Sequence, residues 1–354
     1  MKKTTRFYSI LLVLFIYISC KSQPPAPVII PEIEITPVSI PEIILPPVIL
    51  PLTAFEQMLL QIKQNGQDIK KIFILCENGL IIVKADIQSE AGDFEVIYDL
   101  EQAKALERSV YEVGFTIRDK ETDTFWEDTL IWRPRPGNAG VLLSFDDDYI
   151  KTWEEYLDFF DKFEARVTFF LQGEFVPFSK TALDRGHDVG YHSLNHLDLR
   201  RTSRTVFLRE TIEAAESFRQ EGVPLSSFAF PYGFSEPWMH EILLRSFGVL
   251  RGYGVTFRIY NKYEIKQSFI SSRAIDNTVI RGDENYERII TSMLRTVKFL
   301  DGDWILPLTT HDISQASWAI TRRRLEFLLE TIGDLGLIFY RFSDISGLPE
   351  EISK

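Results

Sequence analysis

Val141-Leu142-Leu143-Ser144-Phe145-Asp146-Asp147-Asp148 decides how the rest of the chain is read. The apolar run is a buried strand, and three consecutive carboxylates stand where it gives way to a loop. Like charges this close repel and raise one another's pKa unless a cation or a proton is shared between them. The C-terminal edge of a strand is also where α/β proteins build their sites. A solvated acidic turn, or Asp148 capping a helix that begins near Tyr149, is the plainer explanation. The residues downstream of Asp148 decide between the two.

From Gly140 onward, strands and helices alternate. The pattern predicts strands over 141–145, 166–171, 187–191, 227–230, 249–252, 269–275, 304–309 and 337–340. It predicts helices over 150–163, 179–185, 204–221, 237–247, 284–300 and 318–332. Repeated strand–helix units imply a parallel sheet, either an incomplete or distorted barrel or a doubly wound sheet. Ahead of it, residues 53–136 read as a smaller β-rich domain: a helix near 55–63, then strands over 71–76, 80–84, 94–98, 111–117 and 129–132. Asn78-Gly79 suits a type I′ hairpin turn, and polar and apolar residues alternate through 111–117. A small β-sandwich is expected. Trp126, if exposed, would suit a glycan, although aromatics in β-domains are more often core. Arg133-Pro134-Arg135-Pro136-Gly137-Asn138 breaks the pattern and sets the start of the second domain, 137–354.

Residues 1–20 read as an export signal. Lys2, Lys3 and Arg6 precede an apolar run, Tyr8 to Ile18, that is too short for a comfortable bilayer span. The run ends in Tyr17-Ile18-Ser19-Cys20, which resembles a bacterial lipoprotein signal, with Tyr17 departing from the usual Leu. That resemblance implies a lipid on Cys20 and an extracytoplasmic, membrane-anchored protein, in the periplasm or at the cell surface. An uncleaved signal anchor is the alternative. With Cys20 lipidated, Cys76 would be left without a disulfide partner, and its apolar run makes it a buried small hydrophobe. Prolines at 24, 25, 27, 31, 37, 41, 46, 47 and 51 make residues 21–52 an extended tether. The net charge of −12 argues against a nucleic-acid partner, which needs a basic footprint.

Three further stretches fall at strand ends. His192-Ser193-Leu194-Asn195-His196 has a spacing that lets two imidazoles reach one cation, and two His with a carboxylate form an open ligand set for a catalytic metal. A pair of ordinary loop histidines is the plainer alternative. Phe228-Ala229-Phe230-Pro231-Tyr232-Gly233 and Leu308-Thr309-Thr310-His311-Asp312 each admit a structural reading, as a turn and as a cap. Together, four strand ends would aim carboxylates, three histidines and a tyrosine at one face.

In order and spacing these four stretches resemble the motifs of the polysaccharide deacetylase family, carbohydrate esterase family four, over roughly residues 139–345. The resemblance implies a distorted (β/α) barrel and removal of acetyl groups from polysaccharides containing N-acetylglucosamine. It implies Asp146 as catalytic base, and Asp147, His192 and His196 as ligands of a divalent metal, most simply zinc, with cobalt or nickel as other choices. It further implies Pro231 and Tyr232 beside the substrate, the Tyr232 amide facing the oxyanion, and Leu308 with His311 as the late motif, His311 being the general acid. Two positions depart from the family pattern. Asp148 stands where Gly is usual, and Ala229 stands where an Arg usually pairs with the base. Arg273 is the candidate replacement, and Asp276 the candidate partner of His311. The other functions considered are a catalytically weakened glycan-binding lipoprotein and a hydrolase of a non-glycan amide or ester on the same site.

Overall fold

The structure, a computed structural model, describes residues 54–64, 71–77, 80–89, 92–107, 110–133, 137–263 and 265–346. The expectations for residues 1–52 lie outside this set. Helix α1 (Ala54–Gln64) precedes strands β1 (Lys71–Glu77), β2 (Leu80–Ser89), β3 (Gly92–Glu107), β4 (Val110–Asp119) and β5 (Phe125–Trp132). These five strands pair antiparallel in sequence order. β1 and β2 run together as far as Glu77 opposite Leu80, the register that a two-residue Asn78-Gly79 connection requires. Cys76 lies in β1, whose side chains are outside the described residues.

The expected β-rich unit is therefore present, but as a single meander rather than two packed sheets. Alternation explains this. Val113, Phe115 and Ile117 of β4 are buried with Val96, Tyr98, Leu130 and Trp132, so one sheet face is apolar and needs one covering layer. That layer is helical. Phe299 of α7 (Asp283–Leu300) lies 4.7 Å from the Tyr111 ring and 6.1 Å from Trp132. Phe125 and Trp126, adjacent at the start of β5 and so on opposite faces of the strand, are both exposed.

The remaining elements run β6 (Gly140–Asp147), α2 (Ile150–Lys162), β7 (Thr168–Leu171), α3 (Val176–Asp184), β8 (Asp188–Tyr191), α4 (Arg204–Leu208), α5 (Ala214–Gln220), β9 (Ser227–Ala229), α6 (Pro237–Leu243), β10 (Val249–Tyr253), β11 (Phe257–Asn261) and β12 (Ser268–Ala274). After α7 come β13 (Trp304–Thr310), β14 (Asp312–Ile313), β15 (Ala319–Ile320), α8 (Arg322–Asp334), β16 (Ile338–Tyr340) and α9 (Phe342–Ile345). β6, β7, β8, β9, β10, β12 and β13 pair parallel in that order, and β13 returns to β6, closing a seven-stranded barrel. The doubly wound alternative is thus excluded. Strands this apolar, such as β6 and β13 with nearly every residue buried, suit a parallel sheet covered on both sides.

Two features distort the barrel. β16 lies against the first half of β6, with Ile338 opposite Gly140; a Cβ on Gly140 would stand 2.2 Å from the Ile338 carbonyl oxygen. β11, which the sequence pattern does not announce, pairs antiparallel with β13 and with β1, so meander and barrel share a continuous sheet. The helix expected over 204–221 is interrupted by a π-helical turn, Arg209–Glu213. Helix α8 starts later than expected because β15 pairs with β14 first. Among the described residues no helix is long and apolar enough to cross a membrane.

Candidate active site

Because all seven barrel strands are parallel, their C-terminal ends share one rim, where α/β barrels carry their chemistry. Asp146 and Asp147 end β6, His192 follows β8, Pro231 follows β9, Tyr253 ends β10, Asp276 follows β12 and His311 follows β13. Four non-glycine residues at this rim have positive φ: Asp147 at 84°, Ser193 at 70°, His196 at 53° and Tyr232 at 60°. Such conformations cost on the order of 1–3 kcal/mol each and tend to gather at functional sites.

Asp147 Oδ1 lies 3.4 Å from His192 Nε2 and 3.2 Å from His196 Nε2, and one ligand atom from each of the three residues falls within 4.8 Å of the others. His192 Nδ1 sits 2.9 Å from the Ala229 carbonyl oxygen. A carbonyl only accepts, so Nδ1 donates, which leaves Nε2 of the neutral ring to accept on the side of Asp147. His192 Nε2 and Asp147 Oδ1 are both buried with no hydrogen-bond partner among the described residues. Two facing acceptors repel unless a cation lies between them, so these residues fit a divalent metal, and the Ala229 carbonyl fixes the ligand tautomer.

The loop carrying the two histidines is held from below by Glu210, a residue the sequence reading missed. Its carboxylate accepts from the Asn195 backbone N–H and from Asn195 Nδ2, both at 2.9 Å, and its carbonyl accepts from Leu194 N–H at 3.0 Å. Ser193 Oγ accepts from His196 N–H at 3.0 Å, tightening the turn. Glu210 is fully buried in the π-helical turn. Such turns often re-aim a side chain at a functional site. A charged residue on the inner face of a helix pattern was the available signal.

Asp146 and Arg251 are both fully buried, and Arg251 Nη2 donates to Asp146 Oδ2 at 2.5 Å. The guanidinium also lies over the rings of Phe170 and Tyr253, at 5.0 and 4.8 Å. Burial would raise the Asp146 pKa, but Arg251 and then His192 and His311 bring it below the ordinary value. This corrects the expectation for Arg273, which instead donates to the Gly254 carbonyl at 3.4 Å and lies over Phe257. The reason is register. Arg251 of β10 is paired with Ala229 of β9, so the guanidinium comes from the adjacent strand at the level of the alanine. Arg273 sits further along β12, paired with Leu308. The missed signal was a charge inside the apolar run Val249-Leu250-Arg251.

His311 Nδ1 faces Asp276 Oδ2 at 3.1 Å, the contact expected of Asp276, whose Oδ1 accepts from Thr310 Oγ1 at 2.6 Å. Trp153 Nε1 donates to the His311 carbonyl at 3.0 Å and pins the loop to α2. Burial would lower the His311 pKa, but Asp276, then Asp146 and Asp147, raise it to about 9. Tyr253, also unforeseen, donates its hydroxyl to Asp146 Oδ2 and lies 3.1 Å from His311 Nε2.

Tyr232 is half exposed, its ring edge-on to His196 at 4.6 Å. Gly233 follows with φ 70°, and a Cβ there would stand 2.5 Å from Tyr253 N, so the turn needs glycine. Pro231 and Leu308, expected beside the substrate, are both buried. The Leu308 side chain packs outward against the helices, and its carbonyl lies 3.3 Å from Ser144 Oγ. Asp148 is exposed and does not cap α2, whose N-cap is Tyr149 without a side-chain bond. Trp318 is exposed on the far side, its ring 6.0 Å from that of His311.

The fold and site define a parallel-barrel protein with a candidate Asp-His-His metal centre beside a buried carboxylate and a histidine. Residues 134–246 match the family model for polysaccharide deacetylase, the family that the motifs resemble. Among solved structures, the chain is similar to the peptidoglycan deacetylase PdaC from Bacillus subtilis (19% identity, 62% of this chain and 93% of that one, TM-score 0.43). It is also similar to the chitin deacetylase of the fungal pathogen Colletotrichum lindemuthianum (16%, 62% and 93%, TM-score 0.45) and to a family 4 carbohydrate esterase from Streptomyces lividans (16%, 57% and 91%, TM-score 0.42). No protein of curated function matches the chain.

Proposed function

We propose that the protein is a metal-dependent N-deacetylase of a polysaccharide containing N-acetylglucosamine. The observation that carries this is the pair of facing, unpartnered groups, Asp147 Oδ1 and His192 Nε2, set beside a buried carboxylate and a histidine paired with Asp276. Asp147, His192 and His196 hold the metal. Zinc suits two imidazoles and one carboxylate with positions left open, and when bound it lowers the pKa of water and polarises the substrate carbonyl.

The chain's own groups do the rest. Asp146, kept ionised by Arg251, accepts the proton of the attacking water. The backbone N–H of Tyr232 donates to the developing oxyanion. His311, protonated up to about pH 9 and aligned by Asp276, donates to the departing amine. Tyr232 and Trp318 are exposed aromatic faces near the two histidines, which suits the apolar faces of sugar rings. The lipoprotein-like signal supports a site of action outside the cytoplasm, with the barrel tethered to a membrane through Cys20.

The glycan-binding alternative drew its support from Ala229; Arg251 on Asp146 favours the enzyme. Acetate release from acetylated chito-oligosaccharides and from a panel of polymers, with metal content measured alongside, tests the proposal. Asp146→Asn is expected to abolish release and keep the metal, whereas His192→Ala is expected to lose both. No acetate from any glycan by the metal-loaded protein would overturn it.

A further inference from the structure

The turn after β9 presents two aromatic rings to solvent side by side. Gly233, with φ 70° and no room for a Cβ against Tyr253, separates Tyr232 from Phe234. Both rings are half exposed, at 50% and 47%. Their centroids lie 6.3 Å apart, with planes tilted by 30°. Tyr232 borders His196, so Phe234 extends the aromatic surface one ring beyond the candidate metal centre.

Phe234 is held from both sides. The Arg200 guanidinium carbon lies 3.9 Å from its ring centroid. Asp198 grips that guanidinium as a fork, accepting from Nε at 3.0 Å and from Nη2 at 2.9 Å. Arg200 Nη1 has no hydrogen-bond partner among the described residues. On the chain side, Ser235 Oγ lies 2.8 Å from His240 Nε2, and the Glu236 carboxylate accepts from Trp238 Nε1 at 2.7 Å. The guanidinium covers one face of the ring and leaves the rest of it to solvent. A single exposed apolar side chain needs no explanation, but a pair of rings that starts at the metal site and is clamped from behind does.

We propose that Phe234, backed by Arg200, is a second sugar platform, which takes the residue next to the one over Tyr232 along an extended, neutral glycan; this rests on the deacetylase reading above. A pyranose offers an apolar face of C–H bonds and a rim of hydroxyls. The apolar face suits the open side of the phenyl ring, and Arg200 Nη1 can donate to a hydroxyl or acetamido oxygen at the rim. The spacing of the two rings is comparable with the repeat of an extended sugar chain, so one chain can lie over both. The clamp orders the ring before the sugar arrives, which reduces the entropy lost on binding. A neutral sugar fits better than an anionic one, because Asp198 and Glu236 offset the charges of Arg200 and Arg201. The platform therefore favours longer chains over short fragments.

Acetate release from N-acetylated chito-oligosaccharides, dimer to hexamer, is the test, with metal content checked to be equal in all proteins. In the wild type kcat/KM is expected to rise with chain length. In Phe234→Ala the hexamer-to-dimer ratio of kcat/KM is expected to fall by on the order of tenfold, through KM rather than kcat, because the ring holds substrate and transition state alike. Phe234→Tyr, which keeps an aromatic face, is expected to preserve the ratio. Equal losses on dimer and hexamer in Phe234→Ala overturn the inference, as does a ratio that falls as far in Phe234→Tyr. Calorimetric titration of the hexamer into Asp146→Asn protein, with and without Phe234→Ala, reads the platform without turnover. Binding weakened by on the order of tenfold supports it, and equal binding overturns it. A wild-type protein that releases no acetate overturns the deacetylase reading, while the titration still decides the platform, so the two failures are distinct.

Discussion

Replacing Asp276 by Asn tests how the acid is kept charged. The side chain keeps its shape and an oxygen for Thr310 Oγ1 but loses the charge that faces His311 Nδ1. In the native protein burial pulls the His311 pKa down, yet it rises from 6.5 to about 9, with Asp276 the largest raising influence. That rise corresponds to about 3 kcal/mol of preference for the protonated ring, as an order of magnitude. In Asp276→Asn the pKa falls toward the ordinary 6.5, because burial is then opposed only by Asp146 and Asp147. At pH 8 a group with a pKa of about 9 is about nine-tenths protonated, and one with a pKa of 6.5 about 3%. Activity at pH 8 should therefore drop by up to about thirtyfold, with much of it restored near pH 6. The pH profile of acetate release reads this directly. Stability carries a second signature. The folded-state pKa is raised, so the stabilisation is fully present below about pH 6.5 and is lost as pH rises through about 9. Urea unfolding at pH 6 and pH 10 should show that loss in the wild type and much less of it in the variant. An alkaline limb that stays in place, or an equal loss of activity at every pH, would refute the reasoning.

Three other outcomes are expected. Arg251→Met leaves Asp146 buried without its cation and should lower stability by about 3–5 kcal/mol with loss of turnover, read by urea unfolding and acetate release; Arg273→Met should leave turnover near wild type. Glu210→Gln keeps the volume but replaces an oxygen that accepts from the His192–His196 loop by an amide. It should weaken metal affinity by on the order of 10–100-fold, measured by competition with a chromogenic chelator. Chelation should abolish acetate release and lower Tm, and re-addition of zinc should restore both, because a ligand bound only by the folded state stabilises it.

Much of the barrel and most of the candidate site were legible in the sequence because their signals are local. A strand that ends in two aspartates, a His-x3-His loop and a strand that ends in a histidine each place a functional side chain within a few residues of the chain. What escaped was non-local. Arg251, Tyr253 and Glu210 lie in stretches with no motif of their own, and each acts on a residue brought to it by folding. Arg273 looked as suitable as Arg251 along the chain. Only the pairing of Arg251 with Ala229 puts its guanidinium where the missing arginine would have been. Leu308 is the opposite case: it belongs to a motif, but strand alternation turns it outward, against the helices.

The sequence by itself determined the alternating architecture, the strand ends that bear the chemistry, and the ligands and acid–base pair that the resemblance implied, because these rest on periodicity and short spacings. The tertiary structure decided the closure of the barrel through β13 and β6, the single-layered meander, and the charged chain from Arg251 to Asp276. Those depend on which strand lies beside which and at what register. A carboxylate without exposed surface must find its cation across the barrel, and no spacing along the chain states where that cation lies.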